Sequence, residues 1–392
     1  MNQITDDLFE DMVKWRRHLH KHPELSNHET NTIQYIIEQL ESFNGDFELI
    51  HPTSTSVIAK LKGTKPGKTV VLRSDVDALP IEEQTDLSFK SINDGVMHAC
   101  GHDGHTAMLL AAAKVLVDKQ DELTGEVWFL FQHAEELASG ALEILKTGQL
   151  SNIDYIFGVH LNNNFPVGQY ALAPGRMMSA SDGFWIDIKG KGGHAAMPQT
   201  TTDAIYVGTQ LINAFNQVVA RQIDANDQAI ISVTTFNSGF ANNVIPDNAH
   251  LSGCTRSFSE TTREYLHEKM KAIADNYALA TDCQIEIKWQ RGADAVINTP
   301  ELTEEISSLI KNEIEDSEVI EIVPRMISED FGSYLKEFPG NFLFVGSGNH
   351  NKGIDKALHH PEFTFDEEAM KYGAALHIQT ALKMTKHQEA LI

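Results

Sequence analysis

The largest concentration of reactive side chains in this chain is the segment His98-Ala99-Cys100-Gly101-His102-Asp103-Gly104-His105. It contains three histidines, one cysteine and one aspartate, and its two glycines let the backbone bend so that these side chains converge. Thiolate and imidazole together suit zinc and similar ions, whereas manganese prefers carboxylates and water alongside imidazole. Because a helix cap would need only one such residue, we interpret the segment as part of a metal site.

A pair of adjacent carboxylates, Glu135 and Glu136, follows the strongly apolar run Val127-Trp128-Phe129-Leu130-Phe131. Adjacent side chains at the end of a strand point in different directions. One carboxylate can therefore bind a metal while its neighbour holds a proton beside it. Alone, the pair would be explained more simply as an acidic turn that opens a helix. The cysteine and histidine segment upstream favours the chemical interpretation.

Two aspartates, Asp75 and Asp77, follow another buried run, and their spacing places them on the same face of a strand. Open α/β sheets bind ligands at the carboxyl ends of their strands. Carboxylates that orient metal-bound histidines are expected in such sites. His160 and His359 also stand at the ends of apolar runs. A lone histidine there is usually structural, so the pattern by itself selects neither.

The charge balance limits the classes of partner. The chain of 392 residues carries 31 lysines and arginines against 55 aspartates and glutamates, a formal net charge of -24 at pH 7. Such a surface repels phosphate backbones and anionic membranes, so we expect neither nucleic acid nor a membrane as partner. Three cysteines do not suggest a disulfide scaffold, and the first residues lack a signal-peptide pattern. We therefore expect a cytoplasmic protein.

The order of predicted elements indicates two domains, as does the length of the chain. Helices alternate with buried strands in the first and last parts of the sequence, which is typical of an α/β architecture. The middle part has the order strand, helix, strand, strand, helix, strand, which matches the split β-α-β sandwich. Its six predicted elements are residues 184–188, 203–219, 229–236, 249–256, 261–280 and 284–289. We predict a catalytic domain of residues 1–178 and 294–392, with residues 179–293 as an inserted domain.

Taken together, these segments give the chain a clear resemblance to a known family. It resembles the M20 metallopeptidases, specifically the amidohydrolase branch of aminoacylase, hippurate hydrolase and N-acetyl-diaminopimelate deacetylase type. Motifs typical of that branch run the length of the chain and occur in the family's order. They are residues 16–24, 73–80, 98–105, 132–136, 190–198, 243–247 and 358–365.

The resemblance implies a fold and a set of site residues. The fold would be a zinc-peptidase-like α/β domain with an inserted ferredoxin-like dimerisation domain, so we expect a homodimer. Glu135 matches the general base, and Asp77 matches the acidic residue that orients a metal ligand. The residues that match metal ligands are Cys100, His102, Glu136, His160 and His359.

Three further residues match substrate-binding positions of the family. His194, in the inserted domain, resembles the histidine that reaches the substrate of the neighbouring subunit and stabilises its oxyanion. Asn243 and Arg256 resemble residues that hold the substrate's carboxylate. The chain also departs from the branch, with His133 where proline is common and Cys254 where threonine is usual. Neither departure is a proposed ligand, so both concern specificity more than chemistry.

The mechanistic hypothesis is a two-metal hydrolase. Two divalent ions, manganese or zinc with cobalt and nickel as alternatives, would activate a water, and Glu135 would take its proton. The substrate would be an N-acyl amino acid or a short peptide. Three alternatives stay open: a carboxypeptidase or dipeptidase on the same site, a catalytically silent metal-binding protein, and a hydrolase with Cys100 as nucleophile. Removal of the metal by a chelator would abolish the activity of a two-metal hydrolase or peptidase, whereas a thiol enzyme would stay active.

Overall fold

The computed structural model describes residues 4–386, and these form two compact units. The first unit contains the residues up to Met177, Ile297–Pro324 and the residues from Asp330 onward. The second contains Met178–Val296 and the short segment Arg325–Glu329, which no sequence pattern indicated. None of the helices in residues 4–386 combines the length and the apolar character needed to span a bilayer.

The helices and strands that precede the second unit begin with α1. In chain order they are α1 (Asp6–Lys21), α2 (Thr30–Ser42), β1 (Glu48–Ile50), β2 (Val57–Lys62), β3 (Lys65–Asp75), α3 (His102–Asp118), β4 (Thr124–Gln132), α4 (Gly140–Lys146), β5 (Tyr155–Pro166), β6 (Gln169–Leu172) and β7 (Gly175–Met178).

The remaining elements start with the strands of the second unit. They are β8 (Ala180–Lys189), β9 (Gly193–His194), α5 (Ala204–Gln222), β10 (Ala229–Ser238), β11 (Val244–Ile245), β12 (Asn248–Ser257), α6 (Glu260–Thr281), β13 (Gln284–Arg291), β14 (Val296–Asn298), α7 (Pro300–Glu313), β15 (Glu318–Glu321), α8 (Gly332–Glu337), β16 (Gly340–Gly348) and α9 (Ala369–Met384). Short 3₁₀ turns lie at Pro198–Thr200 and His350–Lys352.

The first unit is built on an eight-stranded sheet with the order β1-β2-β4-β3-β5-β16-β6-β15. Its centre is parallel, because β3 pairs in parallel with both β4 and β5, and β5 pairs in parallel with β16. Asp75, the last residue of β3, lies opposite Gln132, the last residue of β4. The carboxyl ends of these strands therefore meet at one edge, where open α/β sheets bind ligands.

Helix packing explains why the central strands are buried. All nine residues of β16 are buried, as expected for a parallel sheet covered on both faces. Helices α3 and α9 pack against each other in the same core. A Cβ atom on Gly373 of α9 would lie 2.0 Å from the Met108 sulfur of α3, so a larger residue there would force the buried Met108 side chain to move.

Two elements differ from the sequence prediction in ways that matter for the site. Helix α3 begins at His102, directly after Gly101, whose φ of 88° suits glycine. Gly104 therefore does not bend the chain; it lies inside α3, where a Cβ would lie 2.5 Å from the Phe365 ring. Strand β5 continues to Pro166, so that His160 lies within the strand and not at its end.

The second unit has the predicted β-α-β-β-α-β order in its elements β8, α5, β10, β12, α6 and β13. Its antiparallel sheet has the order β10-β12-β8-β13, which is the ferredoxin-like arrangement. Along β8, the buried residues Phe184, Ile186 and Ile188 alternate with more exposed ones, since successive side chains point to opposite faces. These three residues pack with buried residues of α5 and α6. The predicted fold class agrees with both units.

A buried ionic cluster ties α6 to the sheet of the second unit. The Arg263 guanidinium donates 2.7 Å hydrogen bonds to the carboxylates of Asp182 and Asp294. Burial raises the pKa of Asp182, but the bonds from Arg263 and His267 outweigh it and hold this pKa below its ordinary value. Asp182 is therefore ionised in the folded unit, and its charge depends on Arg263.

We predict that Arg263→Ala destabilises the protein by about 3–5 kcal/mol, because it leaves buried carboxylates without their partner. Urea unfolding followed by circular dichroism measures the loss. Arg291→Ala is the matched control: Arg291 also bonds Asp294, but its side chain is 47 % exposed. That variant should cost at most about 1 kcal/mol. Equal losses in the two variants would contradict the assignment of the stability to burial.

Candidate metal centre

The five residues predicted as metal ligands all lie in the first unit and come from separate elements. Cys100 and His102 stand at the start of α3, Glu136 follows β4, and His160 lies in β5. His359 lies in the loop before α9, where its backbone N–H donates to the Ala99 carbonyl at 2.8 Å and so holds it beside the start of α3. Cys100, His102 and His160 are buried, whereas the His359 side chain is 51 % exposed.

These side chains converge into two overlapping groups. Ligand-type atoms of Cys100, His102 and His160 lie within 4.8 Å of one another, and so do those of Cys100, Glu136 and His359. The Cys100 sulfur lies 3.4 Å from His160 Nε2, and Glu136 Oε1 lies 3.4 Å from His359 Nε2 and 3.9 Å from His102 Nε2. Because Cys100 belongs to both groups, it marks where two adjacent ions could share a ligand.

Hydrogen bonds on the far side of two histidines orient them toward this centre. His102 Nδ1 lies 2.9 Å from the Asp77 carbonyl and 3.2 Å from the Asp77 carboxylate. His160 Nδ1 donates to the Leu161 carbonyl at 2.7 Å. Because Nδ1 is used in this way in both rings, Nε2 is the nitrogen left to bind a metal. Asp77 thus fixes the ring of a candidate ligand.

Unpartnered buried atoms show that these residues fit a cation. Within residues 4–386, His102 Nε2 and Glu136 Oε1 are buried and make no hydrogen bond. Buried polar atoms are nearly always satisfied, and both of these can donate a lone pair. An arrangement of thiol, imidazole and carboxylate with unused lone pairs is what a divalent metal site requires.

The third histidine of the segment, His105, is bound differently. Its Nδ1 lies 2.6 Å from Asp75 Oδ1, and its Nε2 accepts the Leu161 backbone N–H at 2.9 Å. Both ring nitrogens are therefore used, although the ring lies 5.4 Å from that of His102. His105 is a support for the β5 backbone next to His160 and has no lone pair left for a metal.

The electrostatics of the centre are strongly negative. Burial lowers the pKa of His102, but Asp75, Asp77 and Glu136 outweigh burial and raise this pKa to about 10. Burial, followed by the charges of Glu136 and Glu135, raises the pKa of the Cys100 thiol well above its ordinary value. A cysteine that acts as a nucleophile needs electropositive surroundings, so the charges around Cys100 favour a cation over a thiol reaction.

Glu135 lies beside the ligand groups and is 9 % exposed. Its carboxylate lies within 4.8 Å of ligand-type atoms of His102 and Glu136. Glu135 Oε1 accepts the Asp330 backbone N–H at 3.4 Å. The residue therefore has the location expected of a proton acceptor next to the centre.

Sequence reasoning missed the residues beneath the centre. The buried Arg73 guanidinium donates to Asp75 at 2.7 Å, to Asp330 at 2.8 Å and to Gln132 at 2.8 Å. Gln132 in turn donates to both oxygens of Asp330. Burial raises the pKa of Asp330 to about 6, although Arg73 lowers it. Arg73 could have been suspected from its place at the end of a buried strand, but Asp330 had no local signal.

The predicted substrate residues lie in the second unit. Strand β9 pairs with β11 so that His194 lies opposite Val244, and the Ala195 N–H donates to the Asn243 carbonyl at 3.1 Å. His194 and Asn243 are thus held side by side, and both are exposed. Arg256 lies on β12 and donates to Ser328 Oγ at 3.0 Å. Within residues 4–386, no carboxylate forms an ion pair with Arg256.

Comparison with known proteins gives consistent matches. The model of the family described as Peptidase family M20/M25/M40 matches residues 71–383. The chain is 39% identical to thermostable carboxypeptidase 1 of Saccharolobus solfataricus, over 95% of both chains. It is 44% identical to an N-acyl-L-amino acid amidohydrolase of Geobacillus stearothermophilus, over 77% of this chain and 81% of the relative.

A solved structure matches over nearly the whole chain. It is the YXEP protein of Bacillus subtilis, described as a dinuclear metal binding peptidase from the M20 family. The TM-score is 0.85 and the sequences are 33% identical, with 97% of this chain and 99% of that chain covered.

We predict that Cys100→Ser lowers metal affinity at least about tenfold, since even residues that only support a ligand contribute that much. The measurement is metal content after dialysis against graded chelator. Cys283→Ser is the matched control, because Cys283 is also a buried free cysteine but lies in the second unit. Unchanged metal content in Cys100→Ser would remove Cys100 from the centre.

Proposed function

The chain belongs to peptidase family M20/M25/M40 and is a metal-dependent hydrolase, and we propose that it cleaves the amide bond of N-acyl amino acids. The resemblance drawn from its motifs is thereby confirmed. The observation that best supports this proposal is that five ligand-type side chains converge into two groups that share Cys100, with Glu135 beside them. This arrangement supports two divalent ions for each chain.

The residues that would hold the ions follow from the two groups. Cys100, His102 and His160 would hold one ion, and Cys100, Glu136 and His359 the other. Thiolate and imidazole favour zinc, while the carboxylate of Glu136 is compatible with manganese. We propose zinc or manganese as the working metal, with cobalt and nickel tolerated. Bound there, such ions would lower the pKa of a water and polarise the substrate carbonyl.

Glu135 is the proposed general base. Its carboxylate would accept a proton from the attacking water and deliver it to the leaving amine. The Asp330 N–H holds one of its oxygens, which fixes the direction in which the carboxylate points. Glu136 and Glu135 are neighbours in sequence, yet one would bind metal and the other would carry the proton, because only Glu136 shares a ligand group with Cys100 and His359.

The second unit contains side chains suited to bind the substrate's carboxylate and to stabilise the oxyanion. Arg256 carries a positive charge that no carboxylate in the described part of the chain pairs with, and a guanidinium matches a substrate carboxylate with two parallel hydrogen bonds. We propose that Arg256 and Asn243 bind this carboxylate and that His194 stabilises the oxyanion. A free carboxylate next to the scissile amide is common to N-acyl amino acids and to the C-terminal residues of peptides.

A second candidate function is a carboxypeptidase or dipeptidase on the same site. It is favoured by the identity of 39% to thermostable carboxypeptidase 1. Both activities use the same base and the same carboxylate anchor, so they differ only in what lies on the acyl side of the amide. Activity measurements on both kinds of substrate separate them.

The test of the proposed function compares wild-type protein with Glu135→Gln on N-acetyl amino acids, hippurate and dipeptides, with added zinc or manganese. We expect turnover of the acyl amino acids, loss of turnover after chelation, and a fall of at least about 10²-fold in Glu135→Gln with metal content retained. Glu122→Gln makes the same change of carboxylate to carboxamide at an exposed position, and it should behave as wild type. Preference for dipeptides would select the second candidate. Activity that survives chelation would contradict both.

We further propose that the inserted domain of residues 179–293 forms a homodimer and that His194 acts on the substrate of the partner subunit. The second unit exposes large apolar side chains, with Phe240 87%, Tyr206 57% and Met197 49% exposed. Exposed apolar groups of this kind mark interaction surfaces. His194 itself is exposed on its own chain, as a residue that serves a second chain should be.

Mixing two inactive variants tests this sharing. His194→Ala subunits keep the base, and Glu135→Gln subunits keep the histidine, so one site in each mixed dimer is complete. Equal mixing should restore about a quarter of wild-type activity, because about half of the dimers are mixed and each has one working site. Two different affinity tags verify that mixed dimers form. Mixed dimers without activity would show that His194 serves its own chain.

A further inference from the structure

Two backbone N–H groups that flank Glu135 are held by carboxylates from distant parts of the chain. The Glu136 N–H donates to Asp77 Oδ2 at 3.1 Å, and the Ala134 N–H donates to Glu29 Oε1 at 2.9 Å. Asp77 also orients His102, so its presence is explained. Glu29 is 0% exposed and lies 105 positions from Ala134, and it belongs to neither ligand group.

The backbone at Ala134 explains why such a partner is needed. Ala134 has φ of 49°, in the left-handed region that an alanine seldom adopts. Its carbonyl accepts the Gly140 N–H at 3.2 Å, which joins the turn to the start of α4. This turn carries the chain from β4 into the Glu135-Glu136 pair, and a relaxed conformation at Ala134 would redirect both side chains.

A hydrogen bond to a buried carboxylate is well suited to hold a strained residue. The bond is shielded from water, because Glu29 is fully buried, and a hydrogen bond is electrostatically stronger in such surroundings than in solvent. Unfavourable backbone conformations persist only where the surroundings impose them, and they cluster at functional sites. Glu29 supplies that constraint from the start of α2.

We propose that Glu29 is a positioning residue that holds the Ala134 turn and thereby aims the Glu135 carboxylate. The inference rests on the proposed role of Glu135 as base. Glu29 would act through the Ala134 turn and not by contact with substrate or metal. Because a displacement of about 1 Å at a reacting group can cost about 10²-fold in rate, loss of the bond should be seen in turnover and not in substrate binding.

Substitutions at Glu29 separate the hydrogen bond from the charge and the volume. Glu29→Gln keeps an acceptor of the same reach, and kcat should stay within about threefold of wild type. Glu29→Leu fills similar space without an acceptor, and kcat should fall at least about tenfold, with KM and metal content unchanged. The Ala134 amide should exchange with deuterium faster in Glu29→Leu than in wild type, and at the wild-type rate in Glu29→Gln. If that variant does not fold, Glu29→Asp, which shortens the reach, should show the same loss.

A second substitution distinguishes positioning from a general structural role. Ala134→Gly removes the conformational penalty at this residue, so Glu29→Leu/Ala134→Gly should recover at least about threefold in kcat over Glu29→Leu. Ala138 is the matched control: its φ is 53°, and it lies in the same loop without a bond to Glu29. Glu29→Leu/Ala138→Gly should not recover.

The outcomes keep this inference separate from the proposed function. If Glu135→Gln is inactive but folded Glu29→Leu or Glu29→Asp keeps wild-type kcat, Glu29 does not position the base. Equal rescue by Ala134→Gly and Ala138→Gly would also overturn the inference, because it would mean that any loosening of the loop suffices. If instead Glu135→Gln remains active, the proposed function fails, and the exchange rate of the Ala134 amide still reports whether Glu29 holds the turn.

Discussion

The constraint on which the first unit depends is the burial of several negative groups at one edge of a parallel sheet. Asp75 and Asp77 are almost fully buried, and Glu135 and Glu136 lie close beside the ligand groups. Isolated buried charges are costly unless they are paired. The surrounding structure can be understood as the set of partners that makes this concentration of charge tolerable.

Each carboxylate has a distinct set of partners. Asp75 is held by Arg73 and His105, and these groups together with His102 keep its pKa well below the ordinary value despite burial. Asp77 is held by His102, by the Ser26 hydroxyl at 2.7 Å and by the Glu136 N–H. At the metal centre, by contrast, Glu136 Oε1 and His102 Nε2 make no hydrogen bond to any group within residues 4–386. The protein thus neutralises its supporting carboxylates itself and leaves the ligand atoms for cations.

The sequence predicted the parts of this arrangement that have local signals. Cys100 and His102 stand in one short segment, and Glu135 and Glu136 follow an apolar run, so residue type and spacing were enough to find these two segments. The choice of Cys100 and His102 within the first segment came from the resemblance to a family. His160 and His359 were selected only through the resemblance to a family, because a single histidine after an apolar run has no distinctive pattern. The β-α-β-β-α-β order of the second unit was also visible, since each element there has a clear period.

Other features had no local signal because they depend on tertiary contacts. Arg73 and Asp330 are 257 positions apart, and their ion pair depends on the pairing of the sheet and the path of the chain before α8. The extension of β5 through His160 depends on its parallel partner β16, which lies far along the chain. Propensity and periodicity describe single segments, whereas these features arise only when distant segments meet.

The precision of the centre depends as much on the backbone as on the ligands. The two N–H groups on either side of Glu135 are fixed by Glu29 and Asp77, and the Asp330 N–H fixes its carboxylate. Asp77 takes part in both arrangements, since the carboxylate that receives the Glu136 N–H also orients His102. A shift of Asp77 would therefore move a candidate ligand and the turn that carries the base in the same event. The positions of His102 and of the turn that carries Glu135 are coupled through the Asp77 side chain. This coupling explains how a site assembled from separate strands and loops can keep a proton acceptor aligned with its metal ligands.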